Sequence, residues 1–528
     1  MPPGTSGAGA TRGGAQTVAG PRERDRYFFR ASMPETVIVL KSVSVTVTIS
    51  LDMLETAAGQ VSASGDIDRN VKLIVQIVPK TNLEVIGDDR FEMPPLTDAR
   101  STELMFDVEG TNEGPGELWV IVRQGPTKLA TLVLRPQILA VPAASVRQIG
   151  AAADSPTAAS VGKILPTLHI FERRKGVSLG YLFLLDMGDS DVLKGDSPPF
   201  QGDRAVYVAN MYREIEDRWL GSNSDFDAFN AELRAYGAEL LDQLVPPTIQ
   251  DALWKIRDDL RAIHVLSEEP FIPWELVHLK PPAQGGIPQA LPSDLHFFGQ
   301  KGLVRWLHDR RNAPREIRIR PKGAYYSIPN YPHPGYVLPA AQEEVPFLKT
   351  QMKAHKIAAE ANAIRMLLSD PGRVDFFHFS GHGEADTQVA SQARILLEGR
   401  VNGGNYVPDY LKADVVAHHA KLIGADGNRP LVVLNACQVG RAGWQLTSAG
   451  GFADAFLRAG AGAFLGTLWA VGDAPARKFT EAFYRELLAG KTLAEAAIVG
   501  RDAARSAQEA TWLAYVIYGH PYAVVRMA

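Results

Sequence analysis

The chain has 528 residues, 46% of them apolar and 22% charged, which suits a soluble protein of three or four units at about 150 residues each. Fifty-five lysines and arginines against 59 aspartates and glutamates leave a net charge of −4, so there is no overall basic footprint for nucleic acid, and one cysteine excludes an internal disulfide or a cysteine-based zinc cluster. The uncharged run Ala459–Gly472 is shorter than the roughly 18 residues a membrane span needs, and the N-terminus has no apolar leader segment, so the expectation is a cytoplasmic chain with no membrane contact.

Residues 1–30 are rich in Gly, Ala, Ser and Thr and have little to bury, which predicts a disordered tail. In residues 31–140 the apolar positions alternate: Val43, Val45, Val47 and Ile49; then Val71, Leu73, Val75 and Ile77; then Leu104, Phe106 and Val108. Leu118, Val120 and Val122 follow, and Leu129 and Val133 flank Thr131. Such period-two runs between Gly, Asp, Asn and Pro clusters predict an all-β, sandwich-like module. No catalytic constellation stands out in it, so it reads as an interaction or sensor module. Residues 141–204 read as a linker and then a hairpin that turns at Lys175-Gly176.

From residue 205 to 528, helical and strand patterns alternate. Helices are expected at 211–220, 226–244, 341–355, 360–368, 452–459 and 474–488. A further helix at 492–505 opens with the capping box Thr492-x-x-Glu495. Strands are expected at 261–267, 302–308, 315–320, 373–379, 394–397, 431–435 and 463–469. This alternation argues for a mostly parallel sheet flanked by helices.

Two of these strands end in reactive residues. VDFFHF runs into Ser380-Gly381-His382-Gly383, and LVVLN into Ala436-Cys437-Gln438. Ligands of open α/β sheets bind beyond the carboxyl ends of the strands. If these two strands are neighbours, His382 and Cys437 face one crevice. A thiol needs a base to become a thiolate, and the same imidazole can protonate a leaving amine. The amides of Gly383 and Cys437 are placed to hold an oxyanion. No carboxylate is evident to orient His382, which leaves that role to a backbone carbonyl. The caspase pattern is Gln-Ala-Cys-x-Gly, with its histidine about 50 residues upstream. Here Asn435-Ala436-Cys437-Gln438-Val439-Gly440 follows His382 by 55 residues.

With HFSGHG, LVVLNACQVG, GGFADAFLRAGAGAFLGTLWAVGD, FYRELLAGKTLAEA and WLAYVIYGHP in this order, residues 205–528 resemble the CHAT domain. LPAAQEEVPFL and PFIPWELVHL resemble the earlier blocks of that domain. CHAT domains form a caspase- and separase-related family of bacterial cysteine peptidases. The resemblance implies a caspase-like α/β fold, His382 as base, Cys437 as nucleophile and Gly383 as an oxyanion donor. It also implies a protein substrate, an attached or partner sensor, and a place in bacterial defence or programmed death. The chain departs from the family where two acidic residues often follow the Trp block, with Gly472-Asp473 here. It departs again where Gly-Asp-Pro is common, with Gly519-His520-Pro521 here.

Other residues have plainer readings. Asp473 follows a strand that in caspase-like folds helps to line the substrate pocket; as a pocket residue it would pair with a basic side chain, and otherwise it starts a helix. Asn435 lines the same pocket or simply ends its strand. His378 and His382 sit on a strand and a glycine turn rather than on one helix face, so no metal site is expected. Gly490-Lys491-Thr492 has Arg485 where a P-loop needs glycine, so no nucleotide cofactor is expected there. The reading is therefore a cysteine endopeptidase acting through a His382–Cys437 dyad. The alternative is a silent interaction protein on the same fold.

Overall fold

The computed structural model describes residues 24–53, 63–96, 99–125, 127–141, 148–150, 152–154, 165–187, 192–199, 210, 213–214, 225–270, 272–283, 289–291, 296–384, 393–436 and 451–528. Strand β1 (Arg24–Pro34) begins inside the stretch expected to be a disordered tail. The reason is local. Tyr27, Phe29, Ala31 and Met33 are fully buried, so the alternating apolar face already starts at Tyr27.

The chain continues through β2 (Ser42–Ser50), β3 (Ala63–Asp68), β4 (Leu73–Thr81), β5 (Ser101–Gly110), β6 (Glu117–Gln124) and β7 (Thr127–Leu134). In one sheet β1 pairs antiparallel with β2 and β3, and β2 with β5. In the other, β6 lies between β4 and β7. Phe29, Val47 and Phe106 of the first sheet share one apolar cluster with Ile77, Val120 and Leu132 of the second. Apolar residues on alternate positions of both sheets thus make an all-β, sandwich-like unit.

The second sheet does not stop at this unit. The hairpin of β8 (Thr167–Lys175) and β9 (Ser178–Asp186) turns at Gly176, whose φ of +59° suits glycine. Thr81 of β4 is in parallel register with Arg174 of β8. Phe171, Leu182 and Leu184 of the hairpin pack with Val78 and Ile121 of the sandwich. Lys80 forms an ion pair with Glu268 across the same junction.

Beyond the hairpin come α1 (Phe226–Leu244), β10 (Ile263–Ser267), β11 (Leu303–Leu307), β12 (Ala324–Ser327), α2 (Ala361–Ser369), β13 (Phe376–Ser380) and β14 (Leu431–Asn435). Then follow α3 (Phe452–Ala459), β15 (Ala463–Thr467), α4 (Asp473–Leu488), α5 (Leu493–Arg505) and β16 (Tyr515–Tyr518). The helix expected at 211–220 lies outside the described residues apart from 213 and 214.

The sheet order is β8-β10-β11-β16-β15-β14-β13-β12. Strands β8, β10, β11 and β16 run parallel to one another, as do β12 to β15, and the two blocks meet at the antiparallel pair β15–β16. Strands β13 and β14 are buried along their whole length, as strands covered on both faces must be.

The helix expected over 341–355 is instead two short helices, Pro339–Glu343 and Val345–Thr350. Pro346 has no N–H to continue the ladder, and Lys353 takes a left-handed φ of +55° before the chain extends at His355–Lys356. Glu344 is left at the break. Among the described residues no helix is long and apolar enough to cross a membrane.

Candidate active site

Strands β13 and β14 are parallel neighbours, with Ser380 in register with Asn435. The Gly381 N–H donates to the Asn435 carbonyl at 3.2 Å, so both chains leave the same edge of the sheet together. His382 is the second residue beyond β13. Cys437 would be the second beyond β14, but residues 437–450, Gly440 included, lie outside the described residues. The described chain reaches Ala436, whose carbonyl accepts from Thr467 Oγ1 at 2.5 Å.

Glycine is required at 381 by proximity. A Cβ there would fall 2.7 Å from the Tyr331 hydroxyl and 2.7 Å from the Phe379 ring. That close approach lets the Tyr331 hydroxyl accept from the His382 N–H at 3.0 Å and donate to the Leu396 carbonyl at 2.8 Å. The backbone of the histidine turn is thereby held from two directions. Gly383 is in antiparallel register with Ile395.

His382 Nε2 lies 2.9 Å from the backbone carbonyl of Tyr336. A carbonyl only accepts, so this bond requires hydrogen on Nε2 and leaves the lone pair on Nδ1. The orienting group that the sequence left to a carbonyl is therefore Tyr336. The rings of Tyr331 and Tyr336 stand 5.2 and 5.5 Å from the imidazole.

Behind the two strand ends is a buried polar network. Glu344 Oε2 lies 2.8 Å from His378 Nε2, and both side chains are at least 97% buried. Glu344 Oε1 accepts from Asn435 Nδ2 at 3.0 Å and from Thr480 Oγ1 at 3.3 Å. Asn435 Oδ1 accepts from the Tyr515 hydroxyl at 2.7 Å, and Tyr484 is hydrogen-bonded to His378 Nδ1 at 2.7 Å. Burial first, and then the Glu344 charge, push the Tyr484 hydroxyl well above its ordinary pKa, so it stays protonated.

A comparison with protein families bears on the part of the chain that holds these strands. Residues 311–520 match the family model of the CHAT domain. Residues 31–134 match a domain of unknown function, DUF7363, which falls on the sandwich. Comparison with curated proteins returns no match.

Among solved structures the chain is similar to separase in the Saccharomyces cerevisiae separase–securin complex, at 14% identity and a TM-score of 0.31 over 51% of this chain. It spans only 16% of the separase chain. It is also similar to the Porphyromonas gingivalis RgpB pro- and mature domains, at 14% identity and a TM-score of 0.35 over 55% of this chain and 72% of that one.

Within the CHAT domain, the two residues expected to line the substrate pocket are engaged inside the protein. Asn435 is 4% exposed, with both ends of its amide in the network above. Asp473 accepts from the Ala340 and Ala341 N–H groups at 2.7 and 3.0 Å, capping the short helix that follows Tyr336. Each Asp473 oxygen thus accepts one backbone N–H. His378 is a buried, hydrogen-bonded strand residue, as its setting suggested. Gly490-Lys491-Thr492 is the turn between α4 and α5, where Thr492 and Glu495 complete the capping box.

Three residues beside these strand ends escaped the sequence reading. Tyr331 and Tyr336 sit in the proline-rich loop Ser327-Ile-Pro-Asn-Tyr-Pro-His-Pro-Gly-Tyr336 after β12, and a stiff loop that presents two tyrosines beyond a strand was a usable signal. Glu344 had none, because one acid among several on an apparent helix reads as a solvated face.

Proposed function

We propose that the chain is a regulated cysteine endopeptidase that makes limited cuts in a partner protein, in a bacterial, cytoplasmic defence or programmed-death pathway. The observation that supports this best is His382, two residues beyond the strand that lies beside the one leading to Cys437, with Nε2 tied to the Tyr336 carbonyl. Nδ1 is then the basic nitrogen.

In this reading His382 Nδ1 takes the Cys437 proton, and the sulfur attacks the peptide carbonyl carbon. The amides of Gly383 and Cys437 donate to the oxyanion, and the imidazolium returns its proton to the leaving amine. Water, deprotonated by the same imidazole, then splits the thioester and restores the thiol. The imidazolium formed in each half-reaction is steadied through Nε2–H by the Tyr336 carbonyl. Asn435 and Asp473 act behind the cleft: one ties β14 to the network, and the other pins the segment that carries Tyr336. The β sandwich receives the signal or positions the substrate.

The test uses the chain's one cysteine. Iodoacetamide alkylation of the full chain is followed against pH, with Cys437→Ala as the blank. A midpoint well below the free-thiol value of about 8.5 is expected, and His382→Ala should slow the reaction at pH 7 by about 10- to 100-fold. A free-thiol midpoint that is indifferent to His382 would reject the dyad and leave an interaction protein on this fold. The measurement needs no substrate, and it reports the dyad as it stands in the unactivated chain.

A further inference from the structure

A second site lies at the junction of the sandwich and the CHAT-bearing unit. A cavity of about 380 Å³ is walled by Ile121 and Lys128 from one unit and by Leu266, Trp306 and the segment Arg310–Arg315 from the other. Arg310 and Arg311 lie just past the C-terminal end of β11, and His520 just past that of β16. Both strands run opposite to β13 and β14, so the cavity opens at the sheet edge away from His382.

Its chemistry is one-sided. Five arginines, one lysine and four histidines line it, with no carboxylate among the described lining residues. Two of the arginines are already neutralised, Arg310 by Asp454 and Arg123 by Asp186. Arg311 and Arg315 have no acidic partner within 4.0 Å among the described residues. Arg429 spends its donors on the carbonyls of Gly460, Asn312 and Ala461, and its charge stays in the wall. Burial, and then the Arg311 charge, pull the Arg429 pKa down to about 10, and burial lowers that of Arg315.

Two neutral groups add to this. His169 is 6% exposed and His308 4%, and the Nε2 atom of each is buried with no hydrogen-bond partner. Buried polar nitrogens are normally satisfied. Here two lack a partner, in side chains that line the same cavity as the unpaired guanidinium groups. Arg311 is exposed and Arg315 half-buried, so both guanidinium groups are free to meet a multivalent anion at this wall. Beside the charges, Ile121, Leu266 and Ile423 make an apolar stretch of wall.

We propose that this cavity binds a small organic polyphosphate of the nucleotide kind, with its phosphates on Arg311 and Arg315 and its ring body on the apolar residues of the wall. The volume falls at the low end of the range for small-molecule sites, enough for one nucleotide and not for an oligonucleotide. Because the walls come from both units, the ligand would bridge them.

The test is calorimetric titration and thermal unfolding of the full chain with ATP, inorganic triphosphate and sulfate, at ionic strength matched with NaCl. Micromolar ATP binding with a raised Tm is expected, with triphosphate about tenfold weaker and sulfate without effect. The double variant Arg311→Gln/Arg315→Gln should lose about 100-fold or more in ATP affinity while its own unliganded Tm holds or rises. Four results would each overturn the proposal: no binding beyond the NaCl control, sulfate matching ATP, triphosphate matching ATP, or full affinity retained by the double variant. The readout is binding alone, so it stands or falls apart from the peptidase reading.

Discussion

Glu344→Ala should cost about 2–5 kcal/mol of stability, because it removes the carboxylate beside two buried polar groups, at about 1–3 kcal/mol for each group left unsatisfied. The variant would leave His378 and the Asn435 amide buried without the carboxylate they now face. Glu344→Gln keeps the shape and part of the hydrogen bonding, so about 1–3 kcal/mol is expected. Urea unfolding of both variants beside the parent checks this. The glutamine variant stays folded, and that makes it the informative one for the site. Asn435 is two residues before Cys437, and Glu344 fixes it against β13 through His378. A shifted strand end should therefore slow the alkylation of Cys437 in Glu344→Gln under conditions where the fold is intact. If Glu344→Gln matched the parent in both urea midpoint and alkylation rate, the network would have no positioning role.

Acidification should unfold the chain for a reason that lies at the other edge of the sheet. Burial holds the imidazoles of His169 and His264 down to pKa values of about 3, and those of His308 and His520 well below the ordinary 6.5. Nearby positive groups push the same way: Arg123 and Lys128 at His169, and Arg315 at His264 and His520. Asp186 opposes them at His169.

The sign follows from linkage. Between the folded and unfolded pKa values the unfolded chain binds more protons, so stability is complete above about pH 6.5 and falls as the pH drops toward 3. From pH 7 to 5 each such group removes about 2 kcal/mol, which gives about 4 kcal/mol from His169 and His264 alone. Urea midpoints at the two pH values should show this loss, and His264→Gln should remove about 2 kcal/mol of the difference. An unchanged midpoint, or the same pH dependence in the variant, would mean that these imidazoles accept protons without unfolding.

Much of the route to the site was legible in the residues alone. Alternation from Val43 to Ile49 specifies a strand because the side-chain period of a strand is two and one face must be buried. The apolar runs VDFFHF and LVVLN specify buried strands, and Gly381 and Gly383 mark a sharp turn around a histidine. Those are local facts, and the ordered motifs that identify the CHAT domain are built from them. Local propensity also misled in two places. The charged start of β1 read as tail, and Pro346 was passed over inside an apparent helix.

Only the tertiary structure decided which groups the fold brings together. Tyr336 is 46 residues from His382, and Glu344 is 91 from Asn435. Neither pairing leaves a mark in hydrophobic periodicity, because a single backbone carbonyl or a single carboxylate does not alter a pattern. Asp473 likewise had an ordinary local reading, while its actual partners, the Ala340 and Ala341 amides, arrive from a segment more than a hundred residues away. The cationic cavity is the extreme case. Its arginines and histidines are scattered from Arg123 to His520 in a chain whose net charge is −4, and they become one site because the sheet of the sandwich continues into that of the CHAT-bearing unit. Composition averages charge over the whole sequence; the fold is what concentrates it at one place.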